Sequence, residues 1–300
     1  MKHLIDSQSL DRKTIKALFD RADSLESKPE LTLNGKILAS LFYEPSTRTR
    51  FSFESAMHRM GGTVITTENA KEFSSASKGE TIEDTIRIMN FYADVIVLRH
   101  FEEGIAKKAA DVSDVPVINA GDGPGQHPTQ ALLDLYTIEK EHGLIDGVHI
   151  ALVGDLKHGR TIRSLAYLLG KYKDVTIEFV APHALTVGDD IKAYLDKHNV
   201  TYRETEDLAS VVSDVDVIYQ TRIQKERFTN EADYNKYKGV YQIDLTTVNA
   251  MKDSAIIMHP LPRVDEILPE VDSSPKAVYF KQAKYGVLVR MALLEKLLLG

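Results

Sequence analysis

Residues 41–57 read LFYEPSTRTRFSFESAM, and they join an apolar run to a run with helical spacing through a turn rich in hydroxyl and guanidinium groups. The apolar run predicts a buried strand, and the segment from 51 onward predicts a helix that ends at Gly61-Gly62. A helix cap needs one hydroxyl, which leaves most of the donors of STRTR at 46–50 unexplained. Free N–H groups and the dipole at a helix start favour an anion. The stretch therefore predicts a phosphate or carboxylate site.

Strand and helix patterns alternate outward from this stretch along the chain. Strands are predicted at 36–43, 63–67, 94–100, 115–120, 149–155, 176–182, 216–221, 241–245 and 255–260. Such alternation is typical of a parallel sheet with helices on both faces. Because the pattern runs twice, we predict an α/β fold of two doubly wound domains, each a parallel sheet flanked by helices, joined by interdomain helices. The predicted domains are 1–130 plus 285–300, and 131–284. The polar, Ser-rich segment 68–79 is predicted to be a loop.

Composition narrows the class of protein. The 300 residues include no cysteine, so disulfides and thiolate metal sites are excluded. A net charge of −7 argues against nucleic-acid binding. No apolar signal core stands at the N-terminus, and Arg290, Glu295 and Lys296 interrupt the C-terminal apolar run. We predict a soluble cytoplasmic protein without membrane, metal or cofactor.

Polar side chains follow further predicted strands of the first half. Arg99 and His100 follow one of them, and His127 stands between a glycine-rich turn and a helix that begins near Pro128. Ligands of open α/β sheets bind beyond the carboxyl ends of the strands, so these residues are site candidates. A helix start disfavours imidazolium, which predicts that His127 is a neutral N–H donor.

The second half presents arginines at two strand ends, Arg160 and Arg222. Residues 154–161 spell G-x-x-x-x-G-R-T, which resembles a nucleotide-binding P-loop except that Arg160 replaces its lysine. Only Asp244 is a weak candidate for holding magnesium, so an NTPase is a minor alternative. Arginine is better suited to a bidentate grip on a carboxylate. The arginine, histidine and hydroxyl side chains at these predicted strand ends suit a reaction between two anionic substrates, which the protein would position without covalent catalysis.

Seven motifs in order resemble the aspartate/ornithine carbamoyltransferase family over nearly the whole chain: FYEPSTRTRFSFE, SSASKGET, VLRH, NAGDGPGQHPTQALLDL, VGDLKHGRT, TRIQKER and MHPLPRVDE. Ornithine enzymes typically carry HCLP, whereas residues 259–262 read HPLP. Arg160 and Arg222 match the two carboxylates of aspartate. The resemblance implies transfer of the carbamoyl group of carbamoyl phosphate to the amine of L-aspartate, in de novo pyrimidine biosynthesis. Another amine acceptor such as ornithine, or a non-catalytic paralogue, is the alternative.

The resemblance also implies roles for individual residues. In the first domain, carbamoyl phosphate is bound through its phosphate by Ser46, Thr47, Arg48, Thr49 and Arg99, through its carbonyl oxygen by Thr49, Arg99 and His127, and through its amide by Gln130 and Leu261, with Pro262 in the same turn. The pair Leu261-Pro262 is also a candidate cis X-Pro turn. In the second domain, aspartate is bound by Arg160 at its α-carboxylate and by Arg222, helped by Gln224, at its β-carboxylate.

Further implied features concern assembly and motion. Ser74 and Lys78 reach the active site of the neighbouring subunit, where Lys78 contacts both phosphate and aspartate. A homotrimer with shared sites follows from this. Glu44 pairs with Arg160 and Arg227 when the domains close, which expels water and completes the site. The sequence leaves open whether a regulatory chain binds.

Overall fold

The protein, seen in a computed structural model that describes residues 1–223, 230 and 234–300, divides into two compact units. The first unit is Met1–Leu133 with Lys284–Gly300, and the second is Asp134–Ala283. Each unit holds one parallel sheet flanked by helices, which confirms the predicted fold class. Among the described residues, no helix is long and apolar enough to cross a membrane.

The sheet of the first unit has four parallel strands in the order β2-β1-β3-β4. They are β1 Ile37–Phe42, β2 Thr63–Glu68, β3 Val95–His100 and β4 Val117–Asp122. Strands β3 and β4 are buried along their whole length, and β1 is buried from Leu38 onward. Continuous burial explains their apolar runs, because helices cover both faces of a parallel sheet.

The first unit carries helices on its sheet. They are α1 Arg12–Ser27, α2 Thr47–Arg59, α3 Ala70–Phe73, α4 Ile82–Tyr92 and α5 Ile105–Val112. The apolar stripe of α1 predicts its buried face, and the structure buries that face at Ile15, Leu18, Phe19, Ala22 and Leu25. The segment predicted as a loop at 68–79 is more regular than expected, since it contains α3 and the 3-10 turn Ser75–Lys78.

The sheet of the second unit has five parallel strands in the order β7-β6-β5-β8-β9. They are β5 His149–Val153, β6 Thr176–Val180, β7 Thr201–Thr205, β8 Val217–Gln220 and β9 Ile256–Met258. Strand β7 is absent from the prediction. The strand predicted at 241–245 is wrong, because this segment forms only an isolated bridge between Ile243 and Ile267.

Helices α7 Arg160–Leu169, α8 Asp189–Lys197 and the short helix Leu245–Ala250 complete the second unit. Its core includes Val153, Val180, Ile218 and Ile257. Helix α6, Pro128–His142, and the C-terminal helix Tyr279–Leu299 each contribute residues to both units. The units divide after Leu133 and after Ala283, where the sequence predicts divisions after 130 and 284.

Candidate functional site

Each sheet reverses its strand order at one place. In the first unit, the chain moves from β1 to β2 on one side and then to β3 on the other. In the second unit, it moves from β5 to β6 and β7, and then to β8 on the opposite side. At such a switch point the flanking connections leave in opposite directions, so that a crevice opens at the carboxyl ends of the strands. Predicted site residues follow the strands that flank these switch points, β1 and β3 in the first unit and β5 and β8 in the second.

Helix α2 begins directly after β1 with the hydroxyl-rich turn. Ser46 occupies the N-cap position, yet its side chain makes no capping hydrogen bond. The capping explanation of this serine therefore fails, and its hydroxyl is not committed to the helix. Thr47 and Arg48 are exposed, and Thr49 is buried. Turn and helix start present hydroxyl, guanidinium and backbone N–H donors at the first switch point, which suits an anion.

Arg50 of the same turn has a structural partner. Its Nη2 lies 2.8 Å from Glu68 Oε2 at the end of β2, and its guanidinium stacks over the Phe51 ring at 4.8 Å. Of the two arginines in STRTR, Arg50 thus ties α2 to the neighbouring strand. Arg48 is the one that is left for a ligand at the helix start.

His127 lies in the connection between a third strand, β4, and helix α6, and it contacts the hydroxyl-rich turn at the start of α2. It is 3% exposed and directly precedes α6. Its Nε2 lies 3.5 Å from Thr49 Oγ1, and its Nδ1 lies 3.4 Å from Thr129 Oγ1. The structure therefore brings together Thr49 and His127, which are far apart in the sequence. Both ring nitrogens face hydroxyls, which can donate or accept, so the neutral state of His127 stays a prediction.

Arg99 stands near the end of β3, opposite the end of β1. Its register partner is Phe42, and its backbone carbonyl accepts a hydrogen bond from Tyr43 N at 2.9 Å. The buried guanidinium donates from Nη1 to the Ala120 carbonyl at 3.3 Å and lies 3.4 Å from Glu44 Oε1 through Nη2. Glu44, predicted to pair with arginines of the second domain, thus lies beside Arg99 of its own unit.

The residues predicted to hold the carbamoyl amide belong to different units. Gln130 lies in the first turn of α6, is nearly buried, and donates from its backbone N to the His127 carbonyl at 3.0 Å. Leu261 and Pro262 belong to the second unit, and their peptide bond is cis, which confirms that expectation. Leu261 also has a φ of 54°, in the left-handed region that leucine rarely adopts.

The two arginines of the second unit follow the strands that flank its switch point. Arg160 opens α7 after β5, and Arg222 follows β8. Strands β5 and β8 pair directly, with Val153 opposite Gln220. Gly154 at the end of β5 has a φ of +117°, and a side chain there would lie 2.4 Å from the Thr221 carbonyl oxygen. Glycine is therefore required at this close approach beside Arg222.

Two predicted site residues lie outside the described residues. They are Gln224, expected to assist Arg222, and Arg227, expected to act in closure.

The predicted neighbouring-subunit residues lie in the turn between β2 and α4. The Ser74 hydroxyl accepts a hydrogen bond from Ala76 N at 3.2 Å and donates to the Ala70 carbonyl. This serine therefore shapes the turn. Lys78 ends the 3-10 turn and is exposed. Phe73, the last residue of the preceding helix α3, is 78% exposed, so an apolar side chain and the lysine are both exposed in this segment.

The weak magnesium candidate Asp244 has a structural role. Its Oδ1 caps the helix Leu245–Ala250 by accepting from Thr247 N at 2.8 Å and from Thr247 Oγ1 at 3.0 Å. In the described part of the chain, no group of three or more histidine or acidic side chains could hold a metal ion.

Sequence reasoning missed two buried residues behind the Leu261 turn, His259 and Glu266, which lie 2.7 Å apart through Nε2 and Oε1. Both residues belong to the motif MHPLPRVDE, close to Leu261, which is predicted to bind the carbamoyl amide; this proximity could have marked them as candidates.

Family models match both halves of the chain. Residues 2–140 match "Aspartate/ornithine carbamoyltransferase, carbamoyl-P binding domain", and residues 146–297 match "Aspartate/ornithine carbamoyltransferase, Asp/Orn binding domain". Among curated relatives, aspartate carbamoyltransferase 3, chloroplastic, of Pisum sativum is 57% identical, with 99% of this chain and 78% of the relative covered. The aspartate carbamoyltransferase catalytic subunit of Methanocaldococcus jannaschii is 52% identical, with 99% and 98% covered.

Solved structures are similar over the whole chain. The catalytic subunit of M. jannaschii aspartate transcarbamoylase has a TM-score of 0.92 at 52% identity, with 99% of this chain and 98% of that chain covered. Aspartate transcarbamoylase from Trypanosoma cruzi, in complex with carbamoyl phosphate and aspartate, has a TM-score of 0.92 at 40% identity, with 98% and 95% covered.

Proposed function

The chain belongs to the aspartate/ornithine carbamoyltransferase family, and from this premise we propose that it transfers the carbamoyl group of carbamoyl phosphate to the amine of L-aspartate. The products are N-carbamoyl-L-aspartate and phosphate, and the reaction serves pyrimidine biosynthesis. The relatives named above are aspartate enzymes, and the T. cruzi structure contains both substrates. The observation that carries the proposal is the placing of arginines beside the switch point of each unit.

Carbamoyl phosphate is bound by the first unit in this proposal. Its phosphate receives hydrogen bonds from the α2 start, with Ser46, Thr47, Arg48 and Thr49, and a charge partner in Arg99. Support comes from the uncommitted Ser46 hydroxyl and from the position of the turn at the first crevice. Helix N-termini stabilise such anions through their free N–H groups and dipole. The carbamoyl amide is assigned to Gln130 and to the Leu261-Pro262 turn.

The carbonyl carbon is attacked by the uncharged amine of aspartate. A tetrahedral oxyanion forms, and Thr49, Arg99 and His127 stabilise it by donating hydrogen bonds. The carbon–oxygen bond to phosphate then breaks, and the leaving phosphate takes a proton from the former amine. The 3.5 Å separation of Thr49 and His127 supports a shared target for these donors.

Aspartate is bound by the second unit. Arg160 takes the α-carboxylate and Arg222 takes the β-carboxylate, with Gln224 assisting. Guanidinium groups bind carboxylates in a planar, bidentate manner, which an ammonium group cannot reproduce. The direct pairing of β5 with β8 supports a common ligand for the two arginines that follow these strands.

The test is carbamoyl transfer by the purified protein with carbamoyl phosphate and either L-aspartate or L-ornithine. Formation of N-carbamoyl-L-aspartate with equimolar phosphate, and no product from ornithine, is expected. Product from ornithine alone would overturn the choice of acceptor. Product from neither amine, with carbamoyl phosphate still bound, would favour another acceptor or a non-catalytic role.

We also propose that the chain forms a homotrimer with shared sites, in which Ser74 and Lys78 serve the neighbouring subunit. Phe73 at the end of α3 is 78% exposed, and Phe91 on α4 is 83% exposed. Large exposed aromatic side chains of this kind are typical of protein interfaces. Inactive Lys78→Ala and His127→Ala chains, dissociated and reassembled together, should recover activity because hybrids contain intact sites. Sedimentation as a monomer, or no recovery in mixed trimers, would contradict shared sites.

Three features stay predictions: domain closure, the cellular location and a regulatory partner. Glu44 is predicted to pair with Arg160 and Arg227 when the domains close. The chain is predicted to be cytoplasmic, whereas its plant relatives are named chloroplastic. The relative from M. jannaschii is named a catalytic subunit, so a regulatory chain stays among the predicted partners.

A further inference from the structure

The turn that carries Leu261 is held from inside by a histidine and a carboxylate. His259 is 2% exposed, and its Nδ1 accepts a hydrogen bond from the Leu261 backbone N at 2.7 Å. Its Nε2 lies 2.7 Å from Glu266 Oε1. The other oxygen of Glu266 accepts from Val264 N at 3.0 Å and from Asp265 N at 3.1 Å. Three backbone N–H groups of one turn thus converge on two buried side chains.

These contacts fix the tautomer of His259. A backbone N–H can only donate, so Nδ1 must carry a lone pair where Leu261 N meets it. The proton of the neutral ring then lies on Nε2 and is donated to Glu266. Burial is the largest single influence on the Glu266 carboxyl and raises its pKa, but the interactions with His259 and the backbone hydrogen bonds of the turn together outweigh burial, so the pKa lies below its ordinary value. An ionised Glu266 is the acceptor that this tautomer needs.

The backbone of His259 is anchored as well. Its N–H donates to Gln282 Oε1 at 2.9 Å, and Gln282 Nε2 donates to Asp134 Oδ1 at 2.7 Å. The other oxygen of Asp134 accepts from Tyr219 OH at 2.7 Å. These side chains are buried within the second unit. Satisfied buried networks of this kind hold one conformation, because each broken link leaves a polar group without its partner.

The held conformation is an uncommon one. Leucine rarely adopts the φ of 54° that Leu261 has, and such residues persist where the surroundings determine them. The hydrogen bond from Leu261 N to His259 Nδ1 acts directly on that residue. Without this acceptor, the turn loses the contact that opposes relaxation toward an ordinary backbone conformation.

We propose that His259 and Glu266 are positioning residues for the carbamoyl group, and that His259, in its Nε2-protonated tautomer, fixes the Leu261-Pro262 turn in its binding conformation. The inference rests on the proposed function, which assigns Leu261 to the carbamoyl amide. Neither side chain is assigned a contact with substrate. Loss of the pair should therefore weaken recognition of the carbamoyl group and spare recognition of phosphate.

Two substitutions of the same residue separate positioning from packing. His259→Asn keeps an acceptor near the position of Nδ1, whereas His259→Gln places its amide near Nε2 and removes that acceptor. Calorimetry should show that His259→Gln weakens carbamoyl phosphate binding by about tenfold, as expected for one lost hydrogen bond. Binding of inorganic phosphate should be unchanged. His259→Asn should retain carbamoyl phosphate binding to within about threefold.

A matched control is available in the same unit. His149 also bridges a carboxylate and the backbone, with Nε2 3.0 Å from Glu178 Oε1 and Nδ1 3.0 Å from the Asp214 carbonyl. It is the first residue of β5, so it lies at the amino-terminal end of the parallel strands, opposite their carboxyl ends. His149→Gln should lower the unfolding temperature without changing either binding constant.

The outcomes distinguish the inference from the proposed function. Equal losses in the Asn and Gln variants, or parallel losses of carbamoyl phosphate and phosphate binding, would overturn the positioning role. Absence of carbamoyl phosphate binding by the parent protein would overturn both. Selective loss in His259→Gln, in a parent that binds carbamoyl phosphate but does not transfer it to aspartate, would support positioning and refute the proposed acceptor.

Discussion

At the scale of single residues, structure separates side chains that the sequence presents alike. Arg48 and Arg50 stand in one motif, yet Arg50 pairs with Glu68 while Arg48 remains exposed at the helix start. Residue types predicted the chemistry of the turn, because few structural roles need so many donors. They could not predict this division, because the partner of Arg50 comes from a strand that follows the helix.

His127 gives the sharpest catalytic prediction at this scale. Loss of an oxyanion donor typically reduces turnover by about 100–1,000-fold. We expect His127→Ala to lower kcat by that order, with a smaller change in carbamoyl phosphate affinity, because phosphate contacts at the α2 start remain. Steady-state kinetics and calorimetry measure the two effects. His198→Ala, at an exposed histidine of the second unit, is the control, and unchanged turnover in His127→Ala would refute the role.

His100 predicts a dependence of stability on pH. Burial lowers its pKa below the ordinary value of 6.5, and its Nδ1 accepts from Glu102 N at 3.0 Å. Protonation therefore favours the unfolded chain, so this contribution to stability is present above pH 6.5 and is lost as the pH falls below it. His100→Asn keeps an acceptor and does not titrate. Its unfolding temperature should fall less steeply than that of the parent between about pH 7.5 and 5.5; parallel curves would contradict this explanation.

At the scale of elements, continuous apolar runs and the apolar stripes of helices were sufficient to predict the buried strands and helices of each unit. Strand β7, with sequence TYRET, escaped prediction because it lies at a sheet edge and carries no apolar run. The error at 241–245 has a different origin. Tyr241 and Ile243 are buried in alternation, as in a strand, but Asp244 caps a helix that begins at the next residue.

Two helix starts offer a matched comparison of capping with binding. Asp11 caps α1 by accepting from Thr14 N at 2.7 Å, whereas Ser46 at the α2 start makes no such bond. Asp11→Ala should cost about 1 kcal/mol of unfolding free energy and leave kinetics unchanged. Ser46→Ala should leave stability unchanged and weaken carbamoyl phosphate binding. Urea unfolding and calorimetry measure these effects, and a stability loss in Ser46→Ala without a binding loss would restore the capping explanation.

At the scale of the whole molecule, the repeated alternation of strands and helices predicted two parallel sheets. The order of the strands in each sheet then determines which residues become neighbours. Topology brings Thr49 and His127 together at one sheet edge and places Arg160 and Arg222 after paired strands. No local pattern encodes strand order, so the motifs gave the candidate residues without their distances. The hydrogen bond between Gln282 and Asp134 could not be predicted for the same reason, because the two residues are far apart in the sequence.

In the proposed reaction, Arg160 and Arg222 recognise the two carboxylates of aspartate while the first unit holds carbamoyl phosphate. The most direct measurement is kcat/KM for L-aspartate and for L-asparagine, its neutral β-amide, in the parent protein and in Arg222→Gln. We predict that the parent strongly prefers aspartate. Arg222→Gln should lower kcat/KM for aspartate by about 100-fold or more, as expected for a lost charge-assisted contact, and should narrow that preference. An unchanged preference in Arg222→Gln would contradict the assignment.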